Sequence, residues 1–600
     1  MRRLPLLAFT ALVLATIAAF FVAQHLKVTT PLIAGSPRPF PAFINPNQLG
    51  CQGANRYANF SFYLLHRADD VAVYVVNSNG TIVRTLASGR HMRRGVRYPD
   101  GNFPWDGRAD NGRLAPDGVY YFRIALLHQG RTIELTKNPL TIKTSPPRPV
   151  VTSVSPSLVP QTGRSNVTIR VRGIEKRGGT VLVYRTDLGP KPRLVKSFGV
   201  PAETSVSWDG RIYKRQPPPG TYLVGLKTTD AACNTGRFPP TLPPSPGTTP
   251  RAGLTVRYLA AQPPLDPVPA GSTATVYVDS RQRPYTWALT RVGGSRPVVR
   301  GGGRGFTLRV RVPRVPKGGP GLYVLSVASG ANRSAVPLVV GAAGAGAQRI
   351  RVLIVVPALT WQAQNPADDN GDGVPNTLDN GGPVSLQRPF AHGLPVGFGD
   401  QAGLFGFLDS ARLGYDVTTD LALIFGRGPR LAGHRAVVLA GPMRWVPASF
   451  GAALRSYVQG GGHVVSIGTD SLVRGVGVSG AVARSPTPPA SIDALDGRVD
   501  KPVAGNRQLV LVIRDGLGIF SSTSGAFPGY SSYQSISSVA SPGQRIASAA
   551  GVSAGSAAVA GYRLGRGFVV RIGLIGFGGK LAHDVNSQEL VKKLWSVVGG

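Results

Sequence analysis

Cysteine is almost missing from this chain: two residues in 600, Cys51 and Cys233. Neither stands in a C-x-x-C spacing, which excludes a thiolate-built metal site or a dithiol redox centre. In an oxidising compartment the two admit one disulfide, clipping the start of a first β module to the end of a second; two unpaired thiols are the alternative. Acid is the next scarcity. Asp and Glu total 29 against 67 Lys and Arg, a net charge of +38. The excess is mostly arginine, spread along the whole chain. Basic clusters interleaved with aromatics are lacking, as is any nucleic-acid motif. Nucleic acid is therefore excluded as a partner class, and arginine-rich composition is the reading. Anionic lipid and acidic glycans stay open to a chain this basic.

What is abundant is glycine (77) and proline (52), the mark of short strands joined by tight turns. A length of 600 residues sets an expectation of about four domains. Met1-Arg2-Arg3 precedes an apolar run over residues 4–23, long enough to span a bilayer. Its only A-x-A-like exit is Phe21-Val22-Ala23, where Phe21 is too large for the site. The run reads as an uncleaved signal anchor (residues 1–26). Arg2 and Arg3 hold the amino end in the cytoplasm. The expectation is a single-pass cell-membrane protein whose bulk is extracytoplasmic.

Residues 27–56 read as a Pro-rich stalk. A repeat follows. Trp105-Asp106-Gly107-Arg108 precedes Gly118-Val119-Tyr120, and Trp208-Asp209-Gly210-Arg211 precedes Gly220-Thr221-Tyr222. Matching order and spacing mark two copies of one module, residues 57–146 and 147–236, each with alternating apolar strands as in β-sandwiches. The modules resemble the Ig-like domain of the flagellar hook-capping protein family. The tryptophans are expected in the cores. A Pro-rich linker (237–252) leads to a third β-sandwich (253–341), where Gly321-Leu322-Tyr323 recurs without the Trp-Asp-Gly-Arg. Residues 341–347, GAAGAGA, read as a flexible joint.

Residues 348–600 change pattern. Continuous apolar strands are expected at 351–356, 415–421, 435–439, 463–467, 508–513 and 568–573, and helices at 401–412, 447–459 and 586–598. That alternation argues for a covered parallel sheet in an α/β domain. The first strand is read as running into a polar loop, and the Ser/Gly/Pro-rich stretch 479–561 as an inserted lid or partner surface. Leu359-Thr360-Trp361-Gln362-Ala363, Tyr415-Asp416-Val417-Thr418-Thr419-Asp420, Gly441-Pro442-Met443-Arg444-Trp445 and the run from Gly461 to Thr469 together resemble the C-terminal domain of the N,N-dimethylformamidase large subunit. That domain is itself similar to class I glutamine amidotransferases, which implies a flavodoxin-like α/β fold. The resemblance implies hydrolysis of small amides at an iron held by one tyrosine and two glutamates. Here the tyrosine place is Gln364, a glutamate place is Met443, and after residue 348 the only glutamate is Glu589. The family iron is not supported by these residues. The amidotransferase Cys nucleophile is missing too. Gly468-Thr469-Asp470-Ser471 stands at the elbow, and a set of Ser471 with His434, His463 or His583 lacks a G-x-S-x-G signal. His583-Asp584 reads as a helix cap.

Two site expectations remain. Asp368, Asn370, Asp372, the Val374 carbonyl, Asn376 and Asp379 fall at the ligand positions of a structural calcium loop, with Gly373 at the sharp turn. The other expectation is a rim at the carboxyl ends of the strands: Thr360, Trp361, Asn365, Asp416, Asp420, Arg444, Trp445, Thr469 and Asp470. Three functions follow: binding or assembly at the cell surface by a domain that lost its metal, a C–N hydrolase with a rebuilt site, or envelope-polymer binding by the β modules.

Overall fold

The computed structural model describes residues 4–47, 54–159, 166–212, 215–314, 319–343, 350–503, 509–530, 532–539, 545–551 and 557–599. It begins with one apolar helix, α1 (Leu4–Thr29), of which Leu4–His25 is long and apolar enough to cross a membrane. The remainder is β-rich.

Three five-strand paths repeat one design. Asp69–Asn77 pairs with Gly118–Leu126, Gly179–Arg185 with Gly220–Thr229, and Tyr285–Arg291 with Gly321–Ser329, all antiparallel. Each sheet is closed on one side by a short parallel strand, Phe43–Ile44, Leu158–Val159 or Val268–Pro269. The third module thus shares the topology of the first two. The repeat is also chemical. Trp105 Nε1 donates to the Arg108 carbonyl at 2.8 Å, and Trp208 Nε1 to the Arg211 carbonyl at 3.2 Å. Both tryptophans are buried in their module cores. The Tyr120, Tyr222 and Tyr323 hydroxyls each donate to a carbonyl four residues upstream, on Pro116, Pro218 and Gly319. A buried phenol needs such a partner, which explains why Gly-x-Tyr outlasts Trp-Asp-Gly-Arg in the third copy.

Some expected edges move. Ile33 and Ile44, from the expected stalk, belong to the first module's core. Gly253–Val256, expected to open the third module, pairs instead with Gly220–Thr229 of the second. Alternation in a strand reveals its faces but not its partner. The linker is pinned rather than loose: Gly247 N–H donates to Asp372 Oδ2 and Thr249 Oγ1 to the Asp372 carbonyl. Of the expected joint, residues 344–347 lie outside the described residues.

The C-terminal region holds five parallel strands, numbered here in chain order: β1 (Val352–Val356), β2 (Asp416–Thr419), β3 (Ala436–Ala440), β4 (His463–Ile467) and β5 (Gly567–Ile572). Their spatial order is β2-β1-β3-β4-β5. All but one of their residues are buried, as two-sided cover requires. The helices are α2 (Ala358–Gln364), α3 (Phe398–Ser410), α4 (Asp420–Ile424), α5 (Ala448–Gln459), α6 (Phe577–Lys580) and α7 (Val585–Gly599). Two corrections concern local structure. The expected polar loop after β1 is the buried helix α2. The expected insertion contributes Ala557–Leu564, Arg545–Ala550 and Val510–Asp515 as antiparallel strands extending the sheet beyond β5. Small Ala, Ser and Gly side chains hide the pattern of Ala557–Leu564 and Arg545–Ala550, whereas Val510–Asp515 is the strand expected at 508–513.

The first two modules have separate cores, whereas the third module's core is continuous with that of the parallel sheet. Arg291 of the third module grips Asp409 of α3 through both carboxylate oxygens, at 2.6 and 2.8 Å, and Thr419 Oγ1 donates to the Leu265 carbonyl.

Candidate functional site

Thr360, Arg444, Thr469 and Asp470 gather at the carboxyl ends of β1, β3 and β4. Arg444 N–H donates to Thr360 Oγ1 at 3.1 Å, joining the turn after β3 to α2. The Arg444 guanidinium reaches Asp379 at 3.3 Å and Asp470 at 3.6 Å and lies over the Trp445 ring. Arg474 reaches the other Asp379 oxygen at 3.6 Å. Two arginines thus face two aspartates. Asp470 is further held by Gln534: its N–H donates to Gln534 Oε1, and Gln534 Nε2 donates to Asp470 Oδ1. Asp470 adopts φ +54°, a left-handed conformation costly for a non-glycine residue, at the turn where the elbow was expected. Thr469 lines a cavity of about 50 Å³ with Gly441, Gln401 and Ile575.

The other rim residues are placed differently. Trp361 and Trp445 pack beneath the rim in the cores. Asn365 ties α2 to the following segment, donating to the Pro389 carbonyl and accepting from Ala391 N–H. Asp420 caps the start of α2, accepting from Leu359 N–H at 3.0 Å. Burial pushes its carboxyl up to about 7, although several backbone N–H donors oppose the shift. Asp416 does not belong to the rim. It opens β2 at the amino end of the sheet, where Ala342 N–H donates to it and His434 lies 3.9 Å away. A strand of four residues puts its first and last side chains at opposite edges, which the motif alone did not separate.

Ser471 is buried and accepts from Met443 N–H, while His463 opens β4 at the opposite edge and stacks on Phe568. The length of β4 separates them, so Ser471 and His463 form no hydrolytic pair. Asp584 caps α7 by accepting from Ser587 N–H, as expected.

In the 368–379 loop, Asp368 accepts from the N–H groups of Asn370, Gly371 and Gly373, and Asp372 from those of Gly247 and Val374. Asn376 Oδ1 accepts from Asp369 N–H. Asp379 turns away to Arg444 and Arg474. Thr186 of the second module donates to the Gly373 carbonyl, alongside the bonds from the linker, so the loop docks the second module onto the C-terminal region. Burial, with Asp372 nearby, raises the Asp368 carboxyl above its ordinary value against its N–H donors. Cys233 is disulfide-bonded, and Cys51, the other cysteine of the sequence, lies outside the described residues.

Three supporting residues were missed from sequence. Arg388 is buried and donates to the carbonyls of Gln362, Asn365 and Asn376, and to Asp369 at 2.7 Å. It stitches the end of α2 to the loop. Gln534 comes from the stretch expected to be a lid, and Arg474 lies just before it. No motif marks a lone Arg or Gln whose partners are distant carbonyls.

The family iron needs hard oxygen donors. Gln364 offers a neutral amide, Met443 is a thioether with no exposed surface, and Glu589 lies on α7 paired with Lys592 at 2.8 Å. The residues present do not fit that group.

Residues 306–488 match the family described as N,N-dimethylformamidase beta subunit-like, C-terminal, and residues 47–130 match the FlgD Ig-like domain. The first match begins within the third β module, in keeping with its core being shared with the parallel sheet. No curated protein matches the chain. Among solved structures, Gan42B, a GH42 beta-galactosidase, matches at 15% identity over 32% of this chain and 25% of its own, with a TM-score of 0.21. The mmIFT52 N-terminal domain matches at 15% identity over 32% of this chain and 87% of its own, with a TM-score of 0.21. A marsupial T cell receptor matches at 10% identity over 51% and 99%, with a TM-score of 0.20. The chain spans about a quarter of the first of these, and likenesses at such scores say nothing of its activity.

Proposed function

We propose that this protein is a single-pass, membrane-anchored extracytoplasmic protein that binds or assembles at the cell surface. Its dimethylformamidase-like domain works as a scaffold without the iron chemistry of that family. The strand order β2-β1-β3-β4-β5 supports the flavodoxin-like, amidotransferase-like reading of that domain. The observation that carries the proposal is the rim itself. The ligand places hold Gln364 and Met443, and the rim carboxylates of Asp379 and Asp470 are spent on Arg444 and Arg474. The test is turnover of N,N-dimethylformamide and related small amides by the full chain in detergent. The expected result is no rate above that of buffer. Turnover abolished by Asp470→Asn would overturn the proposal.

A second reading, a C–N hydrolase with a rebuilt site, is favoured by the φ +54° conformation of Asp470. Strain of this kind collects at functional turns. That reading requires Asp470 to be freed from Arg444 and Gln534 when substrate enters.

A further inference from the structure

The outer face of the third module's large sheet is built unlike the same face of the first. In the first module Tyr74 and Arg123 sit opposite each other on that face, and Arg123 pairs with Glu134. In the third, Ser326 follows Tyr323 by three residues, as Arg123 follows Tyr120, and it faces Ala288. Two rows cross four strands: Arg300–Ala288–Ser326–Ala335 and Gly302–Thr286–Ala328–Arg333. Side chains opposite one another in a ladder share a face, so these eight positions form one floor. Apart from the two arginines every position is small. At roughly 4.8 Å between strands, the two arginine backbones lie about 15 Å apart.

This floor underlies a cleft of about 1280 Å³. The facing wall comes from Arg185, Pro218 and Pro219 of the second module and from residues 390–394. Among the described residues no Asp or Glu lines the cleft. Arg185 is committed to Asp187, but Arg300 and Arg333 are exposed and make no ion pair among the described residues; Arg333 donates through one nitrogen, Nη1, to the Gly330 and Asn332 carbonyls. The surroundings add to this field: residues 1–350 hold 46 of the 67 basic and 14 of the 29 acidic side chains.

The geometry selects among anionic occupants. An acidic peptide seeking a sheet would need free main-chain groups, and the floor presents side chains. A single-stranded nucleic acid would need aromatic planes for its bases; the floor rows hold none, and the cleft's Tyr258, Trp287 and Phe390 stand outside them. We propose that the cleft binds an anionic polysaccharide, its sugar rings resting on the Ala/Ser/Thr floor and its carboxylate or phosphate groups held by Arg300 and Arg333. Guanidinium groups fit either anion bidentately. The Thr286 and Ser326 hydroxyls and the Asn332 amide at the cleft wall supply partners for sugar hydroxyls. The assignment rests on the surface-binding reading above and names its ligand class.

The test titrates the full chain in detergent with labelled oligogalacturonate, phosphorylated dextran, maltoheptaose and poly-glutamate. At least one of the two anionic glycans is expected to bind, more weakly as salt rises, with maltoheptaose inert; which one binds separates carboxylate from phosphate. The Arg300→Ala/Arg333→Ala double variant, altered only at exposed side chains, is expected to bind at least tenfold more weakly. Ser326→Trp, checked for an unchanged melting temperature, is expected to block the floor without altering charge. Glycan affinity unchanged in the double variant would overturn the assignment and place binding in the diffuse charge of the chain. Poly-glutamate binding as tightly, with the same sensitivity to the variants, would overturn it in favour of a peptide. Failure here without amide turnover removes only the cleft assignment. Amide turnover with glycan binding intact removes only the iron-free reading of the rim.

Discussion

The rim of the parallel sheet and the floor of the third module both carry a pair of arginines, and they use them in opposite ways. At the rim, Arg444 and Arg474 are matched by Asp379 and Asp470, and Gln534 holds the second of these. On the floor, Arg300 and Arg333 border small side chains and no carboxylate. A compensated pair is structure held in place; an uncompensated pair facing an open cleft is a capacity for binding. The rim's charges are thus matched in ion pairs, while the sandwich face that holds Tyr74 and Arg123 in the first module carries small side chains between Arg300 and Arg333 in the third.

The contrast predicts that changes near the rim cost stability and leave glycan binding intact, and that changes on the floor do the reverse. The largest stability loss is expected from Arg388→Ala beneath the rim. It removes donors from three buried carbonyls and takes from Asp369 its cation, which costs roughly 3–5 kcal/mol in denaturant unfolding. A loss below about 1 kcal/mol would show that α2 and the loop are held by other contacts.

Asp420 gives the next effect, through pH. Its folded-state value of about 7 lies above an unfolded value near 3.9. Between roughly pH 4 and 7 the folded chain keeps a proton that the unfolded chain has lost, so this group's contribution to stability falls as pH rises through that window and is level above it. Asp420→Asn is expected to shrink the stability difference between pH 5 and pH 8 by about 2 kcal/mol. Equal differences in the two proteins would contradict the buried, protonated carboxyl.

Arg444→Ala is expected to cost about 1 kcal/mol or less, because its partners are partly exposed, and to leave glycan affinity unchanged. Smallest of all in stability is Arg300→Ala/Arg333→Ala, within about 0.5 kcal/mol by thermal or denaturant unfolding, despite its expected tenfold effect on binding.

Much of the architecture was legible in sequence because it rests on local pattern. The apolar run of α1, the Trp-Asp-Gly-Arg repeats and the β1, β3, β4 and β5 strands each declare themselves within a dozen residues. Chemistry at the rim was legible in part. Arg444 and Asp470 follow directly from strand ends, and the departures from the family's ligand pattern at Gln364 and Met443 are visible in the sequence itself. What sequence hid was partnership. Gly253–Val256 looks the same whichever sheet it joins. Asp416 and Asp420 look alike, although one opens β2 and the other follows it. Gln534 lies 64 residues from the Asp470 it holds. The floor is hidden most completely, since Ala288, Ser326 and Ala335 are unremarkable until three strands set them side by side.

The central claim, that this amidase-like domain has given up the family's metal chemistry, is tested most directly by elemental analysis. The full chain would be purified without chelator and its iron counted per polypeptide. The account predicts substoichiometric iron, unchanged in Asp470→Asn. One iron per chain, lost in that variant, would contradict it and return the rim to catalysis.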